Sequence, residues 1–257
     1  MLQVNLNRGP TGPHFPGMAL REAFDSALPR PNWLTALSGV RVALFDLHDW
    51  WPWLADAYAM LDSAELRRVQ SRRVASDQDQ LALGYSLHRL LLGKALDCDA
   101  ADVPIGRDAS GCPHLADSPL RTSLSHAEHC VAAAVAPRGA IGVDIELAAR
   151  APVIPEIAER VCHPADAVGM SALPGVSRSE ALLALWVRKE AFLKAAGIGL
   201  QREMQTFAAP DNGLLALPDG SMTRVRMLEA DPQWVVAVAS APDVPVTCAV
   251  LHPLPDE

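Results

Sequence analysis

Residues 140–146 read AIGVDIE and residues 177–197 read SRSEALLALWVRKEAFLKAAG. The first stretch is a strand. Side chains alternate along it with period two, so Asp144 and Glu146 point one way while Val143 and Ile145 point into a core. Two carboxylates in register repel each other. They are tolerated where a strand end dissolves into solvent, or where a cation sits between them, and hard oxygen ligands of this kind suit Mg²⁺. The second stretch is a helix over Ser177–Ala196. Ser177 and Glu180 have capping-box spacing, and Gly197 stands where a C′ glycine belongs. Trp186, Glu190 and Lys194 fall at i, i+4 and i+8 on one face. Leu182 continues that face, and Leu183 and Val187 form a neighbouring apolar row. Glu190 and Lys194 are then either a surface ion pair or part of a cleft wall. Packed against the Asp144 strand, Glu190 becomes a third carboxylate with an ammonium one turn on. Those groups suit metal-assisted phosphoryl transfer.

Outward from this pair the chain is mixed α/β. Val40–Leu47, Arg121–Val135 (as two strands with a short turn), Ser221–Leu228, Gln233–Ala239 and Pro245–Leu251 read as strands. Ser63–Leu96 reads as two helices broken near Ser76, with Ser63 as N-cap, and Glu156–Val161 as a short helix. Gly106–Pro113 is a turn-rich loop. Residues 1–30, rich in Gly and Pro, read as a tail or irregular wrap. Ala136-Pro137-Arg138-Gly139 marks a boundary between lobes at 31–138 and 139–257. Trp50, Trp51 and Trp53 are either a corner packed on the core or a docking patch.

The 257 residues carry 22 Lys and Arg against 30 Asp and Glu, a net charge of −8. That balance argues against general nucleic-acid binding, whose affinity comes from cations on phosphates. No apolar run is long enough to span a membrane, and the N-terminus lacks a signal-peptide pattern, so a cytoplasmic protein is expected. The five cysteines are irregularly spaced with no CxxC, which reads as thiols in a reducing compartment.

Only three lysines occur, Lys94, Lys189 and Lys194, so two of the three lie within one short stretch. An ammonium suits phosphate or proton transfer in ways that Arg does not replace, which gives that stretch weight. Arg67, Arg68, Arg72, Arg73 and Arg89 form either a solvated charged face or an anion trap. Ser125-His126 is either a polar turn or a phosphate contact. The phosphate-loop, dinucleotide, nucleophile-elbow and H-E-x-x-H motifs do not occur. His126-Ala127-Glu128 matches the H-x-E of zinc deaminases but lacks their P-C-x-x-C. The adjacent Glu128, His129 and Cys130 scatter over both faces of a strand or turn, so no zinc cluster is expected of those neighbours.

Together these segments resemble the 4′-phosphopantetheinyl transferases, of the monomeric type that activates peptide, siderophore and polyketide synthetases. The resemblance is carried by Gly142–Glu146 (the family's G-[IV]-D-I-E) and by Trp186–Leu200 (W-x-x-K-E-[AS]-x-x-K-x-x-G-x-G-L). Ser125-His126, Arg107-x-x-x-Gly111-x-Pro113 and the region of Arg68 and Asp77 resemble upstream parts of the same family. The resemblance spans roughly Val40–Leu251. It implies two similar α/β lobes related by a pseudo-twofold axis, each a small sheet packed with a long helix, with coenzyme A in the cleft between them. It implies transfer of the phosphopantetheine arm to a serine of apo acyl, peptidyl or aryl carrier proteins, with release of adenosine 3′,5′-bisphosphate. Asp144, Glu146 and Glu190 would hold Mg²⁺. Glu190 would serve as base, and Lys194 would bind the pyrophosphate and assist the leaving group. Arg68, Arg107, Ser125, His126, Lys189 and Lys194 would contact coenzyme A, with His126 at the 3′-phosphate. Two departures stand out. Cys112 replaces the lysine of the family's G-K-P, and Gln80 stands where many members have Arg, with Arg72 or Arg73 the expected substitute. The other functions considered are a coenzyme A or carrier-protein binder without turnover, and an interaction protein without coenzyme A affinity.

Overall fold

The computed structural model describes residues 18–108, 111–199 and 202–253. Its first part holds helix α1 (Leu20–Ala27), strand β1 (Val40–Asp46), the short helices α2 (Leu47–Trp50) and α3 (Leu54–Met60), then α4 (Ser63–Gln70) and α5 (Ala75–Leu96). Strands β2 (Ile105–Arg107), β3 (Pro113–Leu115), β4 (Arg121–Ala127) and β5 (Cys130–Ala136) follow. The second part holds β6 (Ile141–Leu147), α6 (Ala158–Val161), α7 (Pro164–Met170), α8 (Gly175–Ala195), β7 (Leu214–Ala216), β8 (Met222–Leu228), β9 (Trp234–Ser240) and β10 (Val246–Val250). The mixed α/β class read from the sequence holds.

Two four-stranded sheets organise the molecule, in the orders β10-β1-β5-β4 and β6-β9-β8-β7, and β2 and β3 form a separate hairpin. Each large sheet carries one long helix. Leu83, Leu87, Leu90 and Leu91 of α5 share a core with Ala43, Phe45, Val131 and Ala133, while Leu183, Val187, Ala191 and Phe192 of α8 pack with Ala237 and Ala239. The other sheet faces meet through Val42 and Leu44, the small side chains Ala132 and Ala134, and Val143, Ile145, Val236 and Val238. Alternation therefore works on both faces of β6: Val143 and Ile145 fill this inter-sheet core, while Gly142, Asp144 and Glu146 turn to α8.

Several expectations change. The last strand, β10, does not stay with residues 139–240. It pairs in parallel with β1, Val42 beside Cys248. Residues 20–27 are not an irregular wrap but a helix whose Leu20 and Phe24 enter the first core, Phe24 stacking on Phe45. Residues 1–17 lie outside the described part. Trp50 and Trp53 are buried corner residues in contact with each other, and Trp53 Nε1 donates to the Met18 carbonyl at 2.8 Å. Ser63 is the first helical residue rather than the cap. The Asp62 carboxylate accepts from the Ala64 and Glu65 N–H groups instead, since two donors there meet a full negative charge. Likewise α8 begins two residues early, with Pro174 as N-cap, so Ser177 lies inside the first turn and makes no capping box. The C′ position is as read: Gly197 takes φ +66°. Gly106, Arg107 and Pro113, read as parts of a loop, lie in the β2–β3 pair, and a 3₁₀ segment at Ala148–Ile157 precedes the short α6.

Candidate active site

Strand β6 is the edge of its sheet, and β4 runs along that edge: the Val143 N–H donates to Ser123 Oγ at 3.1 Å. Ser125, two residues on and on the same face of β4, donates through Oγ to Asp144 Oδ1 at 2.7 Å. Helix α8 closes the third side. A Cβ on Gly142 would come within 2.0 Å of the Ala191 carbonyl oxygen and 2.5 Å of the Ala195 nitrogen, so only glycine lets the helix backbone lie this close. That approach brings Lys194 Nζ to 2.6 Å from Asp144 Oδ1, 2.7 Å from Ser125 Oγ and 3.2 Å from the Val143 carbonyl.

Asp144 and Glu146 are 5% and 8% exposed. Burial, followed by the charge of Asp144, pushes the Glu190 pKa up to about 7, with Glu146 adding to the rise and Lys194 opposing it. Asp144, Glu146 and Glu190 therefore share one electrostatic environment. Burial also raises the Glu146 pKa, against the Arg150 guanidinium that donates to Oε1 at 2.6 Å. The other oxygen of Glu146, Oε2, is buried with no hydrogen-bond partner among the described residues.

A cationic wall stands beside this cluster. Arg107 stacks over the Tyr85 ring at 4.6 Å and donates through NH1 to the Gly111 carbonyl at 3.0 Å. Arg68 Nε donates to the Tyr85 hydroxyl at 3.3 Å. One tyrosine thus holds two guanidiniums together. Burial lowers the Arg107 pKa, the adjacent Arg68 lowers it further, and Arg107 NH2 is buried without a partner among the described residues. His126, next to Ser125 on β4, is exposed. Desolvation by surrounding protein, then the charges of Lys194, Arg72 and Arg107, lower its pKa. Between the sheets' edges a cleft of about 420 Å³ runs past Cys112, Pro113, Ser123, Ile141, Lys194 and Gly197.

A family model described as the 4′-phosphopantetheinyl transferase superfamily matches residues 140–248. A 4′-phosphopantetheinyl transferase of Bacillus subtilis is 30% identical over 70% of this chain and 82% of its own length. The chain belongs to the 4′-phosphopantetheinyl transferase superfamily. The 4′-phosphopantetheinyl transferase HetI of Nostoc sp. is 29% identical over 68% of this chain and 76% of its own. The 4′-phosphopantetheinyl transferase Sfp of Bacillus subtilis strain 168 is 28% identical, over 70% and 83%. The activity of this transferase is movement of the phosphopantetheine group, with coenzyme A as donor and a carrier protein as acceptor.

Within this transferase the structure gathers Asp144, Glu146, Glu190, Lys194 and Ser125, and it sets Arg68, Arg107 and His126 beside them. Lys189 is a correction. Its side chain is 0% exposed, and Nζ binds Asp166 at 2.7 Å and the carbonyls of Val161, Met204 and Phe207. Five residues along a helix turn the direction by about 500°, so the two ammoniums point to different sides and Lys189 does not reach coenzyme A. Arg89 is a second correction to the anion-trap reading. It is buried and tied to Glu65 and Asp62 at 2.6 Å each. Sequence reasoning misses Tyr85 and Arg150. A hydroxyl in the middle of an apolar helix is a usable sign for Tyr85, since a buried phenol seeks a partner. Arg150 carries none, because it follows the strand in a 3₁₀ segment where α-helical spacing does not apply.

Proposed function

We propose that the cluster at the β4–β6–α8 seam carries out Mg²⁺-dependent transfer of phosphopantetheine from coenzyme A to a carrier-protein serine, releasing adenosine 3′,5′-bisphosphate. The observation that carries this reading is the Asp144–Lys194 pair in a pocket whose Glu146 and Glu190 feel the same charges, with a buried oxygen of Glu146 left unpartnered among the described residues. Unpaired buried oxygens among like charges are unfavourable unless a cation joins them. The donor set is all oxygen, which fits Mg²⁺, held by Asp144, Glu146 and Glu190. When bound, the ion supplies positive charge against the pyrophosphate oxygens.

The chain's own residues do the rest. Arg68 and Arg107, the latter with a buried unpartnered NH2, suit a phosphate group, and the exposed His126 adds a donor for the 3′-phosphate. Lys194 and Ser125 suit the pyrophosphate. Glu190, with its pKa pushed up to about 7, is able to accept the serine proton as the serine oxygen attacks phosphorus. The phosphorus–oxygen bond to the adenosine bisphosphate then breaks, and Lys194 stabilises the charge that develops on the departing oxygen. Arg72 supports the cationic wall where Cys112 and Gln80 depart from the family pattern, since its charge reaches His126. All of these residues belong to one chain, which supports action as a monomer. The five unpaired thiols support a cytoplasmic setting. Among the described residues no helix is long and apolar enough to cross a membrane.

Intact-mass spectrometry of an apo carrier protein incubated with this enzyme and coenzyme A tests the reading. A gain of about 340 Da that requires Mg²⁺ and survives in buffer free of other metals is expected. A gain unaffected by removal of Mg²⁺ would sink the metal assignment, and no gain across acyl, peptidyl and aryl carriers would leave a coenzyme A binder without turnover.

A further inference from the structure

The sequence neighbours Glu128, His129 and Cys130 do not form a metal cluster, yet His129 meets two other metal-ligating side chains from across the fold. Asp46 ends β1, His48 lies in α2, and His129 sits in the turn joining β4 to β5. One ligand atom from each lies within 4.8 Å of the other two. We propose that Asp46, His48 and His129 form a second metal site, selective for a transition-metal dication such as Zn²⁺ and separate from the oxygen cluster at Asp144, Glu146 and Glu190.

Three observations support it. First, backbone pairing holds the three together. Asp46 is in register with Cys130, and the Leu47 N–H donates to the His129 carbonyl at 2.7 Å. Glu128 at φ +50° turns the hairpin so that His129 faces the β1 end. Second, the carboxylate is already oriented: Asp46 Oδ1 accepts the His48 N–H at 2.9 Å and lies 2.8 Å from His48 Nδ1. The His48 and His129 rings sit 4.5 Å apart at 39° to each other, which brings a second imidazole to the same carboxylate. Third, the site is open. The His48 side chain is 51% exposed, so water can complete the coordination. Two imidazoles and a carboxylate with an open position are the ligands of zinc and its neighbours rather than of Mg²⁺, which prefers oxygen alone. In a tetrahedral site with bonds of about 2.0 Å, ligand atoms lie about 3.3 Å apart, so side-chain rotation is enough to close the cluster. Cys130 stands between the two groups of acids: burial pushes its thiol up to about 12, and Glu146 and Asp46 both add to the rise. The sites are close enough that a test must separate them. A metal here would also pin the hairpin that carries Ser125 and His126.

Zn²⁺ is titrated calorimetrically into the chelator-stripped full chain in excess Mg²⁺, which fills the oxygen cluster. One equivalent of Zn²⁺ should bind to the wild type and to Glu190→Gln. His48→Gln and His129→Gln should each weaken it by at least about ten-fold while melting at the wild-type temperature without metal. Zn²⁺ affinity that is unchanged in both histidine variants, or lost in Glu190→Gln, would overturn the proposal. So would the absence of stoichiometric binding, which would leave an Asp–His pair with a ring contact only.

Discussion

Lys189 and Lys194 lie five residues apart on α8, and the structure puts them in opposite surroundings. Lys189 is sealed in the second core, where Asp166 and three carbonyls satisfy its ammonium and the Phe207 ring lies 5.0 Å away. Burial is the main influence lowering its pKa, and Asp166 is the main influence raising it. Lys194 stands partly exposed at the cleft, with one strong contact to Asp144 and one to Ser125. One cation anchors the segments before and after α8 to the helix. The other has hydrogen-bonding partners that a phosphate could replace. A functional motif therefore contains a structural lysine, and residue type alone does not separate the two roles.

The largest expected effect comes from Glu190, the proposed base between them. Glu190→Gln keeps the shape, removes the charge, and should lower transfer by about 10⁴-fold, with an unchanged melting temperature. Turnover near wild type with Mg²⁺ present would remove Glu190 from the chemistry.

The two lysines should then part cleanly. Lys189→Met leaves Asp166 buried and uncompensated, and should cost about 3–5 kcal/mol of stability, read by chemical denaturation. Lys194→Met also removes the partner of a buried carboxylate, Asp144, but at a partly exposed position, so it should cost less stability than Lys189→Met and lower kcat/KM by about 10²–10³-fold. If Lys189→Met folds normally and only activity falls, the contrast fails.

His88 extends the same contrast to the first core. It is buried on α5 with Nε2 2.6 Å from Thr122 Oγ1, and Thr122 spends its proton on the Ala134 carbonyl at 2.8 Å. Nε2 therefore carries the donating hydrogen. Burial, then Arg107 and Arg89, lower the His88 pKa to about 3. The unfolded chain binds a proton near pH 6.5 that the folded chain refuses, so stability is full above that pH and falls as pH drops toward 3. The loss should reach about 2–3 kcal/mol by about pH 4.5. His88→Gln should flatten that part of the pH–stability curve; an equally steep fall in the variant would assign it to other groups. The smallest effect concerns the cationic wall. Cys112→Lys should tighten coenzyme A binding by about 1 kcal/mol or less, seen as a lower KM with kcat unchanged, and a raised KM would show that the wall tolerates no further cation.

Much of the second sheet's chemistry is legible along the chain. Asp144 and Glu146 share a face because strands have period two, and Glu190 and Lys194 share one because helices repeat near every fourth residue. Those are local rules, and they hold here. Lys189 escapes them because adjacency in a motif says nothing about direction around the helix axis unless the buried side is known. Ser63 and Ser177 carry cap signals that the fold does not use, because Asp62 and Pro174 suit the boundary as well, and helix ends are uncertain by a residue or two.

By itself the sequence determined the mixed α/β class, the strand and helix that carry the carboxylates, and the family. The first two rest on periodicity or on spacing within one element, and the family on the resemblance of motifs spread over several elements. The tertiary structure alone decided that β10 crosses to pair with β1, that Gly142 lets α8 approach β6, and that Tyr85 gathers Arg68 and Arg107. It also decided which lysine faces the cleft, and that His129 meets Asp46 and His48. Most of these contacts join residues far apart along the chain. They are set by how sheets and helices pack to bury apolar surface, and no local pattern records that.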